Sequence, residues 1–233
     1  MLTIYQNRRW DADYLTVKKI YDEGLIGKIY NIESRVHGSR GIPGDWRGKK
    51  EHGGGMVLDW GVHILDQMLQ MIPEKIKKVY ARLTYITNSE ADDGFKIILT
   101  FESGLTALLE VGTSNFINLP RWYVQGEKGT ALIEDFNLKG KINSVQFWKE
   151  KDVKPVKTAA GLTKTMAPRT FDSIIEKELP IVDTDIHDYY KNVVAALQGK
   201  EQILVTHQQI MRVMKLMEAV FESHETNQTV DFE

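Results

Sequence analysis

The chain has 233 residues, 42% of them hydrophobic and 27% charged, with a net charge of −2 and no cysteine. This is enough for one large domain or two small ones, with a sizeable core. It excludes disulfides, thiolate metal sites and a cysteine nucleophile, and leaves no basic excess to attract nucleic acid or an anionic membrane surface.

The first nine residues lack the basic, apolar and small-residue succession of a signal peptide. Together with the missing cysteines this leads us to expect a cytoplasmic protein. Asp13 to Gly24 predicts a short helix, capped by Asp11 or Asp13, with Tyr14, Val17 and Tyr21 on one face and Gly24 or Gly27 as the stop. Lys28 to His37 alternates and predicts a strand. Gly38 to Gly55 is a glycine-rich loop holding Pro43, Asp45, Trp46 and Arg47. A helix follows, ended by Pro73. No apolar run reaches the ~18 residues of a membrane span; this one is broken by Asp59, His63 and Asp66.

From Lys75 to Lys149 the period becomes two. Val79, Ala81, Leu83 and Tyr85 share one side, as do Phe95, Ile97, Leu99 and Phe101, then Leu105, Ala107, Leu109 and Val111. Glu102-Ser103-Gly104 and Gly126-Glu127-Lys128-Gly129 predict hairpins, and Ser144 to Lys149 a further strand. Short connections argue for an antiparallel meander. Val153 to Thr170 is polar and unpatterned, an expected excursion or loop. Asp185 to Leu197 predicts a helix with Ile186, Tyr190, Val193, Val194 and Leu197 inward. Thr206-His207-Gln208-Gln209 is a capping box, and Ile210, Val213, Met214, Met217, Val220 and Phe221 form the apolar stripe of a last helix. The expected fold is one α+β domain over residues 1–233, an open, mostly antiparallel sheet of five to seven strands with helices on one face. The other face, with Tyr80, Arg82, Thr84, Ile86, Ile98 and Leu108, is too apolar to stay solvated. Sheet-to-sheet association into a homodimer or tetramer is expected.

The helix after Gly53-Gly54-Gly55 is the most informative segment. At 3.6 residues per turn it puts Asp59 and His63 at i and i+4, and Asp66, Gln67 and Gln70 fall within about 60° of His63. The rest of its surface is apolar. A polar stripe on such a helix faces water, a cavity or paired groups. A carboxylate one turn before an imidazole can orient it and hold its proton. Three successive glycines suggest close backbone approach by a ligand or another strand, at a helix start that offers free N–H donors. Asn7-Arg8-Arg9-Trp10-Asp11-x-Asp13 is either a capped helix start with exposed arginines or an arginine beside an aromatic platform for a polyol or phosphate. The sequence has no Gly-x-Gly-x-x-Gly after a strand, P-loop, His-Glu-x-x-His or Gly-x-Ser-x-Gly. No metal site is expected.

Gln6-Asn7-Arg8-Arg9-Trp10-Asp11-x-Asp13, Asp45-Trp46-Arg47 and Gly53-Gly54-Gly55-x-x-x-Asp59-x-Gly61-x-His63-x-x-Asp66 together resemble the Gfo/Idh/MocA family of NAD(P)-dependent oxidoreductases of sugars, inositols and related polyols. The resemblance extends through the Tyr189-Tyr190 helix and the last helix. It implies the C-terminal substrate and dimerisation domain alone, with the Rossmann domain and the catalytic lysine segment absent, and NAD or NADP bound mainly by that missing part. It further implies His63 as the acid/base and Asp59 as its orienting partner and a substrate ligand. Trp46 and Arg47 would lie near substrate and the nicotinamide, and Arg9 at the substrate or the neighbouring domain. The alternative is a non-catalytic dimerisation or sugar-binding module without cofactor. By itself the chain is expected to be inactive.

Overall fold

The computed structural model describes residues 2–148, 154–165 and 167–233. Helix α1 (Ala12–Asp22) leads into β1 (Ile29–His37), and α2 (Val62–Met71) follows the glycine-rich loop. Then come β2 (Ile76–Thr84), β3 (Gly94–Phe101), β4 (Thr106–Gly112), β5 (Trp122–Gly126), β6 (Gly129–Ile133) and β7 (Gly140–Val145). A short ribbon, β8 (Val156–Thr158) with β9 (Gly161–Thr163), stands apart. β10 (Ile174–Lys177), α3 (Asp188–Leu197), α4 (His207–Thr226) and β11 (Val230–Asp231) complete the chain. Lys149, the end of the last predicted strand, and Val153, the start of the expected loop, lie outside the described residues.

Nine strands form one sheet in the order β10-β7-β6-β5-β1-β4-β3-β2-β11. Every pairing is antiparallel except β1 with β4. The fold is therefore α+β and mostly antiparallel, with more strands than expected. The simple meander needs correction: β2-β3-β4 and β5-β6-β7 are two separate meanders, and β1 is inserted between them. Gly104 turns the β3–β4 hairpin in the left-handed region (φ +87°).

Alternation fixes which side chains meet the helices. Val79, Ala81, Phe95, Ile97, Leu99, Ala107, Leu109, Ile32, Trp122 and Val124 are buried on one face, under α1, α2 and α4. Each full apolar burial is worth about 1.5–3 kcal/mol, so the pattern allows only this register. Tyr85 does not join its predicted row; past the end of β2 it is exposed and stacks on the His224 ring. On the open face Tyr80, Ile98, Leu108, Glu33, Tyr123 and Leu132 follow one another across the register. Beside this row runs a charged one, where Glu110 pairs with Arg35 and Lys96.

Three helical expectations change. Asp11 makes no side-chain cap on α1, and Asp13 instead points inward, accepting from Trp122 Nε1 (2.7 Å) and pairing with Arg121 Nε (2.9 Å). α3 buries Tyr189 and Asn192, whereas Ile186, Tyr190, Val194 and Leu197 are exposed. It docks through the Tyr189 ring, edge-on to Tyr5 and Trp10, and through Asn192, whose amide ties Gln202 and Leu204. On α4 the capping box forms as expected, but Met214 stays exposed and Leu216 takes the buried position. Among the described residues no helix is long and apolar enough to cross a membrane.

Candidate active site

The helix start after the glycine triplet is not regular. Val57–Gly61 is a π-helical turn, in which the Val62 N–H donates to the Val57 carbonyl five residues back, before α2 begins. Such wide turns cost regular hydrogen bonding and are frequent at functional sites. The close approach implied by the glycines is made by the protein itself. A Cβ on Gly54 would run into the Arg47 carbonyl, and one on Gly55 into Asp92 Oδ1. Asp92 caps the turn: its side chain accepts from Val57 N (2.8 Å) and its backbone carbonyl from Met56 N (2.9 Å). Those donors, expected to be free for a ligand, are occupied.

The π turn also separates the expected pair. His63 does not hydrogen-bond Asp59; its Nδ1 lies 2.9 Å from the side-chain oxygen of Gln6. Asp59 is held instead by Arg47, Nε to Oδ2 at 3.2 Å. Arg47 also pairs with Asp45 (2.8 Å) and lies over the Trp46 ring (4.6 Å). The structure thus unites Asp45, Trp46, Arg47 and Asp59, and leaves His63 on a second network. Burial pushes the half-buried His63 imidazole down to about 4, helped by the Arg8 guanidinium and opposed by Asp59. His63 is therefore neutral near pH 7.

The remaining stripe residues are structural pairs. Asp66 accepts from Arg9 Nε and Nη2, both at 2.7 Å, and Arg9 Nη1 donates to Gln209 and the Leu204 carbonyl. Gln67 donates to the Arg8 carbonyl (2.8 Å), and Gln70 accepts from Gln209 (3.1 Å). These bonds fasten the 3-10 turn Asn7–Trp10 and the start of α4 to α2. Arg9, expected at the substrate or the neighbouring domain, makes four hydrogen bonds to the protein's own acceptors. Arg8 rather than Arg9 lies near His63, its guanidinium 3.8 Å above the Trp60 ring.

A cavity of about 490 Å³ opens beside Asp59, between the ends of β1 and β4 and the π turn. His37, Arg40, Asp59, Trp60, Thr113 and Phe136 are among its walls. Pro43 and Met56 also line it, whereas His63, Trp46 and Arg47 are not among its lining residues. Sequence reasoning missed Gln6, Arg8, His37 and Asp92. Gln6 and Arg8 sat inside a recognised motif with no role attached. His37 and Asp92 carried no signal beyond residue type.

The chain shows no dinucleotide cradle among its described residues. The one glycine-rich turn that opens a helix is filled by Arg47, Lys49 and Asp92. Of the expected site residues, Asp59 lines the cavity, while the neutral His63 imidazole and the Trp46–Arg47 pair lie outside its lining.

Residues 14–132 match the family model of the GFO/IDH/MocA C-terminal domain, and the chain belongs to this family. It is similar to scyllo-inositol 2-dehydrogenase (NADP(+)) IolW of Bacillus subtilis, 26% identical over 100% of this chain and 65% of that protein. It is also similar to a solved NAD-binding protein from Listeria innocua, 46% identical, with a TM-score of 0.94 over 98% of this chain and 66% of that one. An oxidoreductase from Bacillus cereus, 19% identical over 98% of this chain and 66% of its own, shares the fold with a TM-score of 0.75. The chain thus spans about two thirds of the length of these relatives.

Proposed function

We propose that the chain is the substrate-side domain of an NAD(P)-dependent oxidoreductase acting on the CH–OH group of a sugar, an inositol or a related polyol. The observation that carries this is the neutral, half-buried His63 beside an arginine-held Asp59 that opens onto a cavity. The named relatives support the reaction class. Asp59, with Arg47 fixing one oxygen, presents its other lone pairs to substrate hydroxyls. His63 takes the hydroxyl proton as the carbon is oxidised, and returns it in the reverse direction. Trp46 and Arg47 face the cofactor side of the substrate. A bound nicotinamide would supply the hydride acceptor; we propose that its pyrophosphate is held by the length that the relatives possess beyond the matched region. Arg9 has no role in this proposal, because four of its five N–H donors hold the fold together.

We further propose that the open sheet face pairs with a second copy, covering the Tyr80–Leu132 row, and that the enzyme works in the cytoplasm. The alternative, a non-catalytic sugar-binding or dimerisation module, draws on the filled glycine turn. The first of two measurements decides between them, and the second checks that no nucleotide site lies in this chain. In the complete enzyme His63→Ala should lower kcat by ~10² to 10⁴; turnover close to the parent's would overturn the catalytic assignment. The 233-residue chain titrated with NADH or NADPH should show no micromolar binding.

A further inference from the structure

The structure assigns Gln6 as the residue that positions His63 and fixes its tautomer, its side-chain carbonyl accepting the proton of Nδ1 and leaving the lone pair on Nε2. The inference rests on the reading of His63 as the acid/base, but its first test does not.

The geometry carries it. With the amide oxygen of Gln6 turned to the ring, the 2.9 Å contact has Nδ1–H as its donor. Gln6 is 2% exposed and is no flexible surface arm. Its N–H donates to the Ile4 carbonyl and its own carbonyl accepts from Arg9 N. It opens the 3-10 turn Asn7–Trp10, and that turn is clamped to α2 by Arg9–Asp66 and by Gln67 on the Arg8 carbonyl. The amide therefore reaches the ring from a rigid support.

The choice of an amide has a chemical consequence. A carboxylate at Nδ1 would orient the ring equally well, but would also stabilise the imidazolium by charge. Gln6 orients without charge. The charged groups that act on the ring are Arg8, which disfavours its protonation, and Asp59, which favours it. A proton arriving at Nε2 forms an imidazolium whose Nδ1–H stays on Gln6, so no ring flip is needed between turnovers. The weak basicity of the ring then keeps that proton ready to leave.

The first test uses the 233-residue chain with 15N-labelled histidine and two-bond 15N–1H correlation, the His63 signals among six histidines being assigned by their loss in His63→Gln. At pH 7 the ring should be protonated on Nδ1 alone. Gln6→Met, which keeps the shape and removes the acceptor, should admit the Nε2–H tautomer. Gln6→Glu should hold the Nδ1–H tautomer and raise the ring's pKa by roughly one unit or more. An Nε2–H ring in the parent chain overturns the proposal, as does an unchanged tautomer in folded Gln6→Met. Should Gln6→Met not fold, the absence of an upward shift in Gln6→Glu overturns it. In the complete enzyme Gln6→Met should lower kcat ~10-fold or more with KM little changed, and Gln6→Glu should move the acid limb of kcat to higher pH. A silent His63→Ala with the tautomer result intact would remove the catalytic role while leaving the positioning of the ring in place.

Discussion

The guanidinium of Arg9 and the carboxylate of Asp66, 57 residues apart in sequence, meet through two parallel contacts of 2.7 Å. Asp66 is 1% exposed, and burial raises its pKa in spite of Arg9. Arg9→Ala leaves this carboxyl buried and unpaired. It should cost about 3–5 kcal/mol of stability, read as a lower denaturant midpoint. Asp66→Leu combined with Arg9→Ala should recover much of that loss. If Arg9→Ala instead left stability unchanged and weakened substrate binding, the arginine would belong to the site after all.

The glycine triplet should respond unequally. Gly53 sits at φ +71° with open space around its missing Cβ, so Gly53→Ala costs about 1 kcal/mol of left-handed strain. Gly55, at φ +112°, would drive a Cβ into Asp92. Gly55→Ala should therefore destabilise by roughly 2 kcal/mol or more and disturb the turn that carries Asp59. Thermal melts of the two variants should separate clearly; equal shifts would contradict the packing around Asp92.

His63 and Asp92 flank the same turn and should pull acid stability in opposite directions. His63 falls to about 4 in the folded state, below its ordinary 6.5. Its contribution is complete above pH 6.5 and is lost as pH falls toward 4, because the unfolded chain binds the proton first. Burial lifts Asp92 to about 6, above the ordinary carboxylate value of 3.8. The folded state then binds its proton first, and stability rises as pH falls from 6 toward 4. Asp92→Asn removes the second slope alone. Its stability between pH 6.5 and 4 should fall more steeply than the parent's, by denaturant titration at each pH. A flatter profile would contradict this assignment.

The open sheet face should govern assembly. Ile98 is 42% exposed at the centre of the Tyr80–Ile98–Leu108 row. In the proposed two-fold contact a lysine there would face the partner's apolar row and meet its own copy. Ile98→Lys should convert the oligomer to monomer in light scattering without loss of helix or strand content. A parent chain that is monomeric at micromolar concentration would end the proposal.

The sequence made strands legible wherever alternation was clean, as in Phe95–Phe101, because period two and a buried face leave a single register. Both hairpin turns were readable from their glycines. The insertion of β1 between β4 and β5 was not, since pairing 75 residues away leaves no trace in local pattern. The motif located Asp59 and His63, but not how they are used. A regular helix puts them in line, and the π turn breaks that line for reasons set by Asp92, Arg47 and the glycine backbone. The side of α3 was misjudged because Tyr189 and Asn192 bury themselves against loops, and not against the sheet. Arg8 and Arg9 differ only in which way a 3-10 turn throws them, which residue type does not reveal.

The seam made by β1 also bears on how the molecule comes together. The two meanders on either side of it can each form from neighbours close in the chain, at little entropic cost of loop closure. β1 belongs to neither, and its contacts with β4 join residues tens of positions apart. Its docking should be the slow, topology-limited event that turns two half-sheets into one. Since the cavity beside Asp59 draws its walls from both β1 and β4, that hollow cannot exist until this last strand has been threaded home.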